Sequence, residues 1–97
     1  MASKPDQNAL FEAILQLRTA KDCERFFTDL CTPKELEALA DRWEVARLLD
    51  RKVPYRDIYD RTGVSTATVT RVARALLHGE GGYRMILNKL SEETFHE

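Results

Sequence analysis

Long apolar runs are missing from this chain. None of its 97 residues belongs to a stretch approaching the roughly 18 apolar positions a helix needs to cross a bilayer, so no membrane association is expected. The opening MASKPDQ has no apolar core of the kind a secretory signal carries, and a cytoplasmic protein is expected. Cysteine is scarce as well. Cys23 and Cys31 are eight positions apart, roughly 12 Å if one helix carries both, which is beyond disulfide reach. They read as buried thiols in a reducing compartment. With no CxxC and no Cys/His cluster, no metal is expected. No GxGxxG, P-loop, HExxH or Ser/His/Asp arrangement occurs, and the GEGG of residues 79–82 lacks the lysine and the flanking strand of a phosphate loop. His78 and His96 stand alone near helix ends. Asp57 and Asp60 share their segment with Arg56 and Arg61, a solvated charged face rather than a carboxylate pair for acid–base work. These absences leave no catalytic residue, no cofactor and no enzyme to expect.

What is present is a small, charged, single domain spanning residues 1–97. The formal net charge is −1, but it is unevenly spread. Residues 1–40 carry five Lys/Arg against seven Asp/Glu, residues 41–84 nine against six, and residues 85–97 one against three. The basic excess therefore falls in the middle of the chain.

Periodicity reads as six helices and no strands. Asp6 or Ser3 can cap a first helix running to about Leu17, with Leu10, Ile14 and Leu17 on one stripe and Phe11 and Leu15 on a second. A helix apolar on two sides is covered on two sides, so a partner subunit is implied. Thr19 with Asp22 resembles a capping box for a second helix, whose apolar face is Cys23, Phe26, Phe27, Leu30 and Cys31. Thr32-Pro33-Lys34-Glu35 is a compact helix start, with threonine at N-cap, proline at N1 and glutamate at N3. The third helix is the longest, about 18 residues ending near Arg51. A last helix places Tyr83, Ile86, Leu87 and Leu90 on one face, and SEETFHE is expected to fray.

Between these lies residues 54–77, PYRDIYDRTGVSTATVTRVARALL, which reads as a short helix, a turn at Gly63 and a second helix opening at Ser65. Ile58, Val64, Val69 and Val72 have the spacing by which two short helices pack across a glycine turn. Gly63 supplies a positive φ and Ser65 an N-cap. The β-branched Thr66, Thr68, Val69, Thr70 and Val72 favour a strand locally, but Val69, Val72, Ala73 and Leu76 follow helical spacing. The second helix then presents Thr66, Ala67, Thr70, Arg71 and Arg74 outward, a surface suited to the major groove of DNA.

The segment LCTPKELEALADRWEVARLL, followed by STATVTRVARAL and GEGGY, resembles the Trp repressor superfamily, and within it the Trp repressor-like YerC/YecD type, over about residues 8–90. The resemblance implies an all-α, six-helix, intertwined homodimer in which residues of about 7–50 and 83–91 serve dimerisation. Two helix-turn-helix heads would reach successive major grooves of double-stranded DNA. Tyr55, Arg56, Tyr59, Ser65, Thr66, Ala67, Thr68, Thr70 and Arg74 would form the DNA face, with Tyr59 either reaching DNA or acting as a packing spacer. The resemblance also implies an effector pocket at Thr32, Arg42 and Arg71. Val72 stands where the repressor uses a glycine to make room for an indole, and Ala75 where it uses a serine, so any effector is not expected to be tryptophan. The other role for Arg42 and Arg71 is ion pairing with Asp41, Glu44 or Asp60, or phosphate contact. The expected function is sequence-specific transcriptional regulation, by a repressor that blocks promoter access. The alternatives are a helical dimeric adaptor that binds protein without reading DNA, which the acidic termini favour, and a repressor sensing an effector other than tryptophan.

Overall fold

A computed structural model describes residues 4–95, so Ser3 as a cap and His96 lie outside the described residues. Four of its helices begin where a side chain satisfies a free N–H group of the first turn, and the helix that begins after Pro54 has no such cap. In α1 (Gln7–Ile14) the Asp6 carboxylate accepts from the Asn8 N–H at 2.9 Å. Thr19 does the same for α2 (Ala20–Leu30), accepting from the Asp22 N–H at 3.0 Å. Asp22 reaches back to the Arg18 N–H at 3.4 Å rather than to the N–H of Thr19, so the capping box there is only half formed. For α3 (Pro33–Asp50) it is complete: Thr32 Oγ1 accepts from the Glu35 N–H at 3.1 Å, and Glu35 Oε1 accepts from the Thr32 N–H at 2.9 Å. The Thr32 backbone bond and then its hydroxyl bond hold the Glu35 carboxyl below its usual pKa.

Helix ends depart from expectation in two places. The first helix stops at Ile14 instead of Leu17, because the N–H groups of Gln16 and Leu17 turn to the carbonyls of Ala13 and Ile14, three residues back. The last helix, α6 (Gly82–Phe95), does not fray after Leu90 but continues to Phe95. The third ends in an arrangement that composition does not announce. Lys52 adopts φ 64°, its N–H bonds the Leu49 carbonyl at 3.0 Å, and the Val53 N–H bonds that of Leu48 at 3.1 Å. This is the paired-bond helix stop usually built with glycine.

Six helices and no strand make up the described residues. Packing divides the chain into two units, Met1–Leu36 and Glu37–Glu97. The first holds α1 and α2, neither with a fully buried side chain, and Phe26 and Phe27 meet edge to face at 5.5 Å while staying half-buried. Cys23 and Cys31 are free and half-buried rather than buried. The second unit holds most of α3, then α4 (Tyr55–Thr62), α5 (Thr66–His78) and α6. Its core is Val45, Ala46, Leu48, Ile58, Val69 and Val72, and Trp43, Val53, Tyr59, Val64 and Tyr83 pack against it. Trp43 and Tyr83 stack at 6.3 Å, and Arg84 bonds Asp50 at 2.7 Å, tying α6 to α3. None of the described helices is long and apolar enough to cross a membrane.

Candidate nucleic-acid interface

The geometry of the turn fixes how α5 is held against α4. Gly63 sits at φ 68°, where a Cβ would be strained, and its N–H closes α4 on the Tyr59 carbonyl at 3.0 Å. Thr62 braces the same corner: its hydroxyl donates to the Ile58 carbonyl at 2.7 Å and accepts from the Val64 N–H at 3.1 Å. Sequence reasoning passed over Thr62, although a threonine in a last helical turn commonly bonds the carbonyl four residues back. Ser65 then caps α5, accepting from the Thr68 N–H at 3.2 Å and donating to the Thr68 hydroxyl at 3.0 Å.

Helical spacing divides α5 into two faces. Val69, Val72 and Ala73 are buried in or against the core, whereas Thr66, Ala67, Thr70, Arg71 and Arg74 are all exposed. Those five together line a shallow concavity of about 460 Å³. It offers two hydroxyls, methyl groups and two guanidiniums, with no acidic side chain in its lining. That set can donate to phosphates and to base acceptors and can meet a thymine methyl.

The remaining residues of the expected DNA face are placed differently. Ser65 and Thr68 spend their hydroxyls on each other and on the cap, and Thr68 is half-buried. Tyr55 and Arg56 are exposed on the first turn of α4, while Tyr59 is half-buried and packs against the core. Of the three expected effector residues, Thr32 lies in the first unit with its hydroxyl committed to the α3 cap. Arg42 is half-buried on α3, and Arg71 is exposed beside Thr70 and Arg74. The ion pairs weighed for these arginines are not formed. Glu44 pairs with Arg47 at 2.9 Å instead, and among the described residues neither Arg42 nor Arg71 has a carboxylate partner. Three-residue clusters of His, Cys, Asp or Glu that could hold a metal do not occur among the described residues.

An all-α chain with its exposed polar helix braced across a glycine turn falls in the class of helix-turn-helix proteins. The Trp repressor protein family matches residues 6–91. Similar proteins include YerC, an uncharacterized protein of Bacillus subtilis strain 168, at 47% identity over 86% of this chain and 80% of that one. A Trp operon repressor homolog of Mannheimia succiniciproducens is 44% identical over 69% of this chain and 67% of its own length. The crystal structure of a TrpR like protein from Eubacterium eligens superposes with a TM-score of 0.83 at 42% identity, covering 87% of each chain. The chain belongs to the Trp repressor family, in the Trp repressor-like branch that includes YerC. Membership places it among repressor-type, DNA-binding transcription regulators and not among enzymes.

Proposed function

We propose that the protein is a cytoplasmic homodimer that reads specific double-stranded DNA through α5 and represses transcription by occupying its site. One observation carries this reading: Thr66, Ala67, Thr70, Arg71 and Arg74 converge on one exposed concave face, directly across the helix from the buried Val69 and Val72. Tyr55 and Arg56 on the first turn of α4 extend that surface toward the phosphate backbone, as the first helix of such a pair does. Tyr59 serves packing first, and Ser65 and Thr68 position the helix through the cap. The homodimer is supported by α1 and the residue that follows it, where Leu10, Phe11 and Leu15 are 38%, 53% and 78% exposed. Any effector at the Arg42 and Arg71 positions is not tryptophan, because Val72 is 1% exposed and part of the core where an indole would need room.

The roles on α5 differ in kind. Thr66, Ala67 and Thr70 lie on its first turns, where a helix entering the groove meets base edges, and Arg74 lies further along beside the backbone. Thr70→Ala should weaken the preferred site by about 1–3 kcal/mol and random DNA little. Arg74→Ala should weaken both about equally and lower the salt slope by about one. Titrations of both variants on a site selected from the source genome and on random DNA, at several salt concentrations, check this. Equal loss on both DNAs for Thr70→Ala, or an unchanged salt slope for Arg74→Ala, would remove the assignment. Failure of the unmodified protein to bind any genomic fragment would favour the protein-binding adaptor.

A further inference from the structure

A second concavity of about 530 Å³ lies within the second unit; it shares no lining residue with the α5 concavity, though Tyr55 belongs both to its lining and to the proposed DNA surface. Its size is that of small-ligand sites, roughly 300–1,000 Å³. Leu49, Val53, Ala73, Leu76 and Leu77 supply an apolar floor. Lys52, Asp50 and Arg84 supply the charge, with Tyr55 at the start of α4 beside them. Two cations against one carboxylate leave this lining with a net charge of +1.

The two cations are placed in different ways. One guanidinium nitrogen of Arg84 donates to Asp50 at 2.7 Å, which fixes the side chain while leaving further N–H donors of the fork for a ligand. Lys52 has no carboxylate partner among the described residues. Its backbone is held at φ 64°, a conformation that glycine adopts without strain and lysine does not. Strain of this sort collects at ligand clamps, and here it falls on a charged residue lining a cavity. An apolar floor with a surplus of positive charge selects an amphipathic anion over a neutral hydrocarbon or an inorganic ion.

We propose that this cavity binds a small monocarboxylate with an aliphatic body, its carboxylate held by Lys52 and Arg84 and its chain lying on Leu49, Val53 and Leu76. The walls come from the end of α3, the connection to α4, the first residue of α4, the second half of α5 and Arg84 of α6, so such a ligand touches both helices of the DNA-reading pair. Its lining shares no residue with the concavity that holds Arg71, and its occupancy can be measured without DNA.

Methyl NMR of the full chain, titrated with octanoate and in parallel with octan-1-ol, tests it. Saturable shifts should appear at the methyls of Leu49, Val53 and Leu76. Octanoate should bind roughly tenfold more tightly than the alcohol, the value of one charge-assisted hydrogen bond. Lys52→Gln should remove most of that preference, because Arg84 is already paired with Asp50, and leave the affinity for the alcohol unchanged. The proposal is overturned if octanoate produces no saturable shift at these methyls, if the two probes bind equally to the unmodified protein, or if Lys52→Gln keeps the preference.

Discussion

Two lengths of this chain are both amphipathic and reach different ends. The helices of Met1–Leu36 draw their apolar stripes from Leu, Ile, Phe and Cys, and those of Glu37–Glu97 from Leu, Ile, Val and Ala. Among the described residues, every fully buried side chain belongs to the second unit: Val45, Ala46, Ile58, Val69 and Val72 have at most 1% of their surface exposed. In α1 and α2 none is buried, and Phe11, Leu15 and Leu30 stand 53%, 78% and 49% exposed. Amphipathic pattern alone therefore does not make a core. The helix-turn-helix unit closes on itself because the long α3 and the shorter α4 and α5 converge on one core around Ile58, whereas α1 and α2 offer stripes that need a second surface. In the proposed dimer that surface is another copy.

The largest effect should follow from breaking the self-contained unit. Ile58→Ala should destabilise it by about 2–5 kcal/mol at any protein concentration, the cost of a cavity in a filled core. Trp43 is the one tryptophan and stacks on Tyr83, so its emission in urea titrations reports this unit. Phe11→Ala should act differently, weakening association by about 2 kcal/mol or more in sedimentation equilibrium if the ring is anchored in a partner. Equal concentration dependence for the two variants would erase the distinction.

Much of the second unit could be read in advance because local chemistry and packing agree there. Gly63, the Ser65 cap and the Ile58, Val69, Val72 seam each point to the same turn, and each is found. The Thr32–Glu35 box was equally plain. The stop of α1 at Ile14 was not, since no glycine or proline marks it and the apolar spacing runs on to Leu17. Nor was the pair of Arg84 and Asp50, whose partners lie 34 positions apart. The exposed face of α5 was legible as periodicity, but the withdrawal of Thr68 into the cap depends on a hydroxyl orientation that spacing does not specify. Lys52 escaped notice because lysine is not the residue type a left-handed helix stop calls for.

That last position gives a smaller test within the second unit. Lys52→Gly should relieve left-handed strain of about 1–2 kcal/mol against an entropic loss of about 0.5–1 kcal/mol. A net gain of roughly 0.5–1 kcal/mol in chemical denaturation is expected; a loss would mean the lysine stabilises the stop by other contacts. The smallest effect lies at the other unit's border. Glu35 titrates below its usual 4.5 in the folded chain, so its bonds to Thr32 stabilise above the unfolded pKa and are lost as pH falls through the folded one. Glu35→Gln keeps an acceptor for the Thr32 N–H, so it should flatten the pH dependence of melting below about 4.5 relative to the unmodified chain. Parallel pH profiles of the two would show the bonds contribute nothing measurable.

The contrast between the two units is tested most directly by thermal melting of the unmodified protein, followed by far-ultraviolet circular dichroism over a hundredfold range of concentration beside its mass in solution. A dimer that completes α1 and α2 across its interface should melt at a temperature that rises with concentration, with a dimeric mass at micromolar protein. A melting temperature independent of concentration, together with a monomeric mass, would contradict it.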